Sequence, residues 1–588
     1  MPEMYTTRRS PLANDWSQRR RDGYDVIVIG SGYGAAVTAA RLATAQWPAA
    51  GRPTICILER GKEWLPGQFP DTLTRGLQES RGPSNPLGLY DNNFSPDIGV
   101  LMGSGLGGTS LVNANVAIRP DREVFEREQW PQAVRTLSQN GQLATYYDRA
   151  QATLFASQHP DAMRLSKVKS LQKGAQGVAG AKFEIHDIAV NFRFEGLNNW
   201  GVQQRKCINC GDCTSGCNVG AKNTLDTNYL AIAKRGGAEI FTQVECKRLT
   251  KDPAGGYLIH YLRRESPTGQ SEAGTLKANR LVIVAAGSLG STGIMLRSRR
   301  AGLSLPDSLG KHFGGNGDFF GVAYNADQRA DVLGWGAYPD SARAQRLQPG
   351  PGQLLHPGPT IVSRVRYNTD QPLLQRFKAE DLSIPLMYVD TVRLALAFVI
   401  GKDTDPNGFF DNLNEAGRRL RDIIGSSQLQ GGALNHTLAY LVNGHDDQNG
   451  AVELDPLTDE AKVKWSGAGK QAIFKQMNQR LLQHTTALGG TYVENPLWGF
   501  IPFRTLVTAH PLGGCVMSDS HTTGAVNHFG QVYDAHGALH DGLYITDGAT
   551  IPSSLGVNPF LTISALAEWR AEQMITSLGG APEVIDHI

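Results

Sequence analysis

Short apolar, β-branched runs broken by glycines mark both ends of the chain. Residues 24–29 form one such run, and Gly30, Gly32 and Gly34 interrupt it before the alanine-rich stretch 37–44. The pattern predicts a buried parallel strand, a tight turn and a helix. A second run, Thr54-Ile-Cys-Ile-Leu-Glu59, predicts the next strand and ends in a carboxylate. Glycines let a backbone approach a pyrophosphate, whose charge then faces the helix N-terminus, and an acid closing the second strand suits ribose hydroxyls. Gly30, Gly32, Gly34, Ala35 and Glu59 are therefore candidate dinucleotide ligands. A glycine turn without a nucleotide is the alternative, but strand, turn, helix, strand and terminal acid all fit the nucleotide reading.

A second glycine-dense loop carries Gly103, Gly107, Gly108, Ser110, Asn113 and Asn115, and its amides could wrap a phosphate or a ring. Near the other end, 540–552 reads as a strand running into a polar turn at Asp547 and Gly548, followed by a helical segment over 558–570. The stretch 386–400 reads as strand or buried helix. The proline–glycine runs at 349–352 and 356–359 read as a surface loop or lid edge. His445-Asp446-Asp447, flanked by Asn443-Gly and Gln448-Asn-Gly450, reads as a polar hairpin tip rather than a metal site. There are no internal repeats.

Length and composition add bounds. A chain of 588 residues exceeds one simple core and predicts two domains. Apolar residues at 40% and charged residues at 19% describe an ordinary soluble enzyme, and a net charge of +2 gives no reason to expect nucleic acid. Residues 1–23 form a polar, basic tail with no apolar run behind the arginines, so a signal peptide is not expected. No uninterrupted apolar stretch reaches about eighteen residues, the length of a membrane span. A cytoplasmic location follows as the expectation.

Seven cysteines do not make a disulfide scaffold in a chain of this length. Four of them, Cys207, Cys210, Cys213 and Cys217, lie in CINCGDCTSGC, whose C-x2-C-x2-C-x3-C spacing matches a ferredoxin run. One reading is an iron–sulfur cluster. Departures count against a complete local ligand set: there is a single run, and Asn218 rather than proline follows it. Zinc, suited better by two separated pairs, and thiols left free or paired as disulfides are the other readings.

The segments GSGYGAA, GSGLGGTSLVNAN, AAGSLGSTGIML, TAHPLGGCVM and LYITDGATIPSSLGVNPFLTISALAE occur in that order between residues 30 and 568. Together they resemble the glucose-methanol-choline (GMC) oxidoreductases, most closely the cholesterol oxidase branch. The residues alone support a dinucleotide; the resemblance implies FAD. It also implies an α/β fold with a Rossmann-like, doubly wound FAD-binding domain built from 24–125, 205–320 and 505–588. A substrate-binding domain on a mixed or antiparallel sheet would take 126–204 and 321–504. His510 matches the family's active-site histidine and Asn558 its asparagine partner. Asn558, Pro559 and Phe560, together with Asp547 and Gly548, would complete the flavin frame, and Val244 would offer its backbone to adenine. The Asn316-Gly-Asp318 turn has a counterpart near the flavin.

The implied activity is oxidation of a bulky, hydrophobic or sterol-like secondary alcohol. Hydride passes to the flavin, and oxygen or another electron carrier reoxidises it. A lyase or decarboxylase on the same fold, and a flavin or iron–sulfur electron-transfer protein, are the alternatives. Sterol oxidases add a glutamate on the substrate sheet, yet the comparable stretch 359–367 holds no carboxylate. The expectation is therefore that His510 acts alone or that no coupled isomerisation occurs. Arg364 and Arg366 either contact a polar substrate or form ion pairs.

Overall fold

A computed structural model describes residues 9–48, 51–266, 269–337, 356–398, 401–404, 409–424, 431–499 and 504–583. Two large sheets organise it. In the first, Leu539–Ile545, Ser271–Val284, Gly23–Ile29, Ile55–Leu58 and Glu239–Phe241 lie parallel in that spatial order. The antiparallel strands Gln531–Tyr533, Tyr257–Arg264 and Val244–Lys251 extend it. The central strand buries Val26, Ile27 and Val28 completely, which is why its sequence is continuously apolar rather than alternating.

The helix Tyr33–Thr44 starts from the Gly30–Gly34 turn and packs against Phe560–Ser577 and Tyr229–Arg235. Its alanines keep the spacing short. A buried pair closes this contact: Arg41 donates to both oxygens of Glu568 at 2.6 and 2.8 Å, and Tyr229 Oη donates to Glu568 at 2.7 Å. Three distant parts of the chain thus share one ion pair, and removing a single partner would strand a buried charge at a cost of about 3–5 kcal/mol.

The second sheet is antiparallel throughout, in the order Lys402–Asp403, Thr491–Glu494, Phe319–Tyr324, Leu438–Asn443, Phe377–Leu382, Ser363–Tyr367, Lys182–Ile185. The helices Ala472–Leu488 and Ser166–Gln176 cover one face, where Phe319, Tyr440, Val365 and Ala379 are buried against Phe474, Met477, Leu481 and Leu171. Cross-strand register brings Phe320, Leu441, Glu380, Arg364 and Glu184 into one row on the opposite face.

Three sequence expectations change here, and a fourth is decided between its two alternatives. Residues 9–22 are no loose tail: Asn14 pairs through its backbone with Ile240 on the edge strand, and Trp16 packs edge-on against Phe241 and Tyr261, both at 5.2 Å. Covering an unpaired edge is the physical gain. Residues 349–352 lie outside the described residues, whereas Pro357, Gly358 and Pro359 are buried, so this part is no surface loop. The stretch 386–400 is a helix, Leu386–Ala397, with Leu394 and Phe398 exposed; residues 399–400 lie outside the described residues. His445 and Asp446 are buried between two different sheets rather than standing at a hairpin tip. Among the described residues no helix is long and apolar enough to cross a membrane.

Candidate active site

A small three-stranded sheet aims two segments at the same place. Ile98–Gly103 runs directly into the second glycine loop, and its parallel neighbour Leu506–Thr508 runs into His510. The Thr508 hydroxyl accepts from the His510 amide at 2.8 Å and donates to Asp318 at 2.9 Å. Asp318 also accepts from the Ala509 amide and, at 2.9 Å, shares the proton of His510 Nδ1. A carboxylate there holds that proton on Nδ1 and leaves Nε2 as the free lone pair. Asn443 supports the arrangement by donating to Asp318 at 2.8 Å.

Nε2 lies 3.4 Å from Asn558 Nδ2, and the same amide donates to Glu380 at 3.3 Å. The structure thus brings His510 and Asn558 together, and it adds two acids that sequence reasoning did not assign to the site. Glu380 corrects the expectation that the substrate sheet lacks a carboxylate. Its strand, Phe377–Leu382, pairs with Ser363–Tyr367 so that Glu380 stands opposite Arg364. The resemblance points to the neighbouring strand 359–367, and sequence order does not say which strands pair or which acid the register sets beside Asn558. Arg364 pairs with Glu184, and Arg366 with Asp121 and Glu184. A buried acid within the alternating run Lys378-Ala-Glu380 was the available signal.

Burial and neighbouring charges shift both titratable groups, Glu380 and His510. Burial pushes the Glu380 carboxyl up to about 7, against the lowering influence of His510 and Asn558. Burial alone would lower the His510 imidazole, but the charge and hydrogen bond of Asp318, with Glu380 behind them, outweigh it and raise the imidazole above its ordinary value.

The predicted cofactor residues form a second cluster. Gly30 and Gly107 have φ of +96° and +108°, and Gly108 packs on Gly32. The helix Tyr33–Thr44 has no side-chain cap at Gly32, so its first amides are unsatisfied by the chain. A Cβ at Gly34 would sit 2.2 Å from the Thr546 carbonyl, and Ala35 lies buried beside it, so this turn presses on the segment before Asp547. Glu59 accepts from Ser31 Oγ at 2.5 Å and from the Gly61 amide at 2.8 Å. Asn113 donates to Tyr33 Oη at 2.7 Å, and Tyr33 stacks on Phe560, which follows Pro559 at the start of its helix. Gly103 donates to Thr109 Oγ1, while Ser110 Oγ donates to the Gly107 carbonyl. Asp547 is held by Ser291 and by the Gly287 and Ala549 amides, and Gly548 packs on Pro511 beside His510. The Val244 amide donates to the Glu59 carbonyl, so this N–H is not free for adenine.

Three buried polar atoms in these segments have no hydrogen-bond partner among the described residues: Asn115 Nδ2, Thr546 Oγ1 and Asn558 Oδ1. Buried polar groups are normally paired, so orphans clustered in the predicted frame fit a bound group that supplies their partners.

The cysteine run gives a different picture. All four thiols are free, and among the described residues no group of three or more His, Cys, Asp or Glu side chains could hold a metal ion. The iron–sulfur reading therefore has no geometric support. Cys207, Cys210 and Cys217 pack on Val219, Ala221 and Ala337, and burial raises the thiols of Cys207, Cys210 and Cys213. Lys222, five residues beyond the run's end in the GAK tail, is buried and donates to the carbonyls of Cys213, Leu111 and Asn113 at 3.0, 3.1 and 2.7 Å. It ties the run to the second glycine loop. A separate cleft of about 580 Å³, lined by Arg9, Glu63, Arg205 and Asp226 among others, includes neither His510 nor Asn558.

Residues 24–312 and 410–567 match family models described as GMC oxidoreductase. A cholesterol oxidase of Mycobacterium tuberculosis is 27% identical, covering 93% of this chain and 90% of its own length. One from Acinetobacter baumannii is 25% identical with 93% of both chains covered, and a long-chain-alcohol oxidase of Arabidopsis thaliana is 23% identical, covering 95% and 68%. Among solved structures, a pyridoxine 4-oxidase from Mesorbium loti has a TM-score of 0.57 at 14% identity, covering 93% of this chain and 98% of the other. A fungal aryl-alcohol oxidase has a TM-score of 0.57 at 16% identity, covering 95% and 100%.

Proposed function

The chain belongs to the GMC oxidoreductase family, FAD-binding enzymes that act on CH–OH groups, and from that premise we propose that it oxidises a bulky, hydrophobic secondary alcohol to a ketone. The observation that carries this reading is the buried group of His510, Asn558 and Glu380, with Asp318 behind the histidine. Bound FAD would supply the hydride acceptor, held by the Gly30–Gly34 turn, Glu59, the second glycine loop and the segments at Asp547 and Asn558. His510 Nε2 accepts the proton of the substrate hydroxyl, and the Asn558 amide holds the substrate oxygen. The raised imidazole keeps the proton it receives. Glu380 lies within reach of the same amide and can take or return a second proton, so the site has the carboxylate that coupled double-bond migration needs.

Support for a hydrophobic substrate comes from Leu441, which stands beside Glu380 in its row with Phe320 beyond it, and from relatives named for cholesterol and long-chain alcohols. In this reading the four cysteines pack the loop that braces the flavin frame.

Anaerobic mixing of the yellow holoenzyme with a panel of hydrophobic secondary alcohols tests the reading, with bleaching of the flavin as the expected result. His510→Ala and Asn558→Ala should keep FAD but slow bleaching by a factor on the order of a hundred or more. Unchanged rates in both variants would move the active site elsewhere.

A further inference from the structure

The segment 443–448 lies against both halves of the site. Asn443 touches Asp318 and His510, and Gly444 is so close to the neighbouring turn that a Cβ on Gly317, whose φ is +62°, would fall 2.4 Å from the Gly444 carbonyl carbon. Next in line, Asp446 is 4% exposed and forms no ion pair among the described residues. One of its oxygens accepts from the amides of Gly315 and Gly317 at 2.9 and 2.8 Å. The other accepts from Ser554 Oγ at 2.7 Å and from the Gln448 amide at 3.2 Å. A single carboxylate therefore grips both the turn 315–318 and the loop that leads to Asn558.

Between those two glycines stands Asn316, at φ +58°. Its side-chain oxygen accepts from the Leu555 amide at 2.8 Å and the Gly556 amide at 3.3 Å, and its amide donates to the Val557 carbonyl at 2.8 Å. The turn then ends at Asp318, the partner of His510. One four-residue turn thus holds the histidine through Asp318 and the loop before Asn558 through Asn316.

We propose that Asp446 is a positioning residue for the alcohol-oxidation chemistry, locking the turn 315–318 so that His510 and Asn558 keep one fixed geometry, with Asn316 as the arm that reaches the Asn558 side. It touches neither substrate nor flavin in this role. Its effect passes through Asp318 and Asn316, and an error of about 1 Å in such a pair costs on the order of a hundred-fold in rate.

The proposal rests on the reading above, so its test has an arm that needs no substrate. With ¹⁵N-histidine-labelled holoenzyme, the His510 resonance is assigned by its loss in His510→Ala, and its titration is followed by NMR. Asp446→Ala should lower the His510 pKa, because Asp318 is no longer held against Nδ1. Asn316→Ala should leave that pKa unchanged. With a substrate that bleaches the wild-type flavin, both variants should lower kcat at least about ten-fold with KM within about two-fold and FAD retained. Asp446→Asn, which keeps one oxygen for the two glycine amides, should recover most of the rate and covers the case that the alanine variant does not fold. Wild-type kcat in Asn316→Ala, or wild-type His510 titration in Asp446→Ala, or in Asp446→Asn where alanine does not fold together with a rate no better than that of Asn316→Ala, would overturn the proposal. If no alcohol reduces the wild-type flavin, the reading of function fails by itself and the titration arm alone decides this one.

Discussion

At the residue scale, the proposed chemistry requires His510 to be neutral at Nε2 when substrate binds. Asp318 and Glu380 raise its pKa, so the imidazolium persists to higher pH than in free histidine, and Glu380 titrates at about 7 beside it. The charge of each favours the ionised form of the other, so an observed acid limb reports on both groups. Flavin reduction should therefore fall on the acid side, with an apparent pKa above the ordinary histidine value. Asp318→Asn and Glu380→Gln should each move that limb to lower pH, since each removes a charge that holds the proton on the ring; a limb that stays in place in both would show that another group controls it. The stability effect has a definite sign. A carboxyl raised by burial contributes its stability at low pH and loses it as pH rises through about 7, so Glu380→Gln should raise the Tm of the holoenzyme at pH 8 but not at pH 4.

At the element scale, the loop 207–222 acts through one side chain. Burial lowers the Lys222 ammonium to about 8, and three carbonyls satisfy its three donors. Two of them belong to Leu111 and Asn113 of the second glycine loop. Lys222→Met would leave those carbonyls buried without a donor, at a cost of about 1–3 kcal/mol, and would release that loop. The expected outcome is FAD binding weakened by roughly ten-fold, read by equilibrium dialysis, while Cys217→Ala weakens it much less. Equal losses would instead make the thiols the functional part of the loop. The spacing of the four cysteines was legible from the sequence. The packing of Cys207, Cys210 and Cys217 on Val219, Ala221 and Ala337 was not, because a spacing fixes contour length and not the direction of four Sγ atoms.

At the scale of the whole molecule, the proposed FAD frame draws on residues 30–59, 103–115 and 547–560, segments joined only by the fold. A ligand that binds such a frame stabilises the folded state by mass action, about 2.7 kcal/mol at a hundred-fold excess over Kd. Deflavinated protein should show a Tm that climbs steadily with the logarithm of added FAD, and a flat Tm would count against a frame made by folding. By itself the sequence determined the first strand–turn–helix with Glu59, the order of five family segments, and the identities of His510 and Asn558. Each of these is written in consecutive residues, where β-branching, glycine and local spacing act directly. Only the tertiary structure decided that the carboxylate near Asn558 comes from Glu380 rather than from the 359–367 strand, that Asp318 holds His510, and that His445 and Asp446 are buried. The reason is common to all three. Antiparallel register and loop packing join residues 108 to 192 positions apart by close contacts, and no pattern along a single strand encodes which neighbour it will meet.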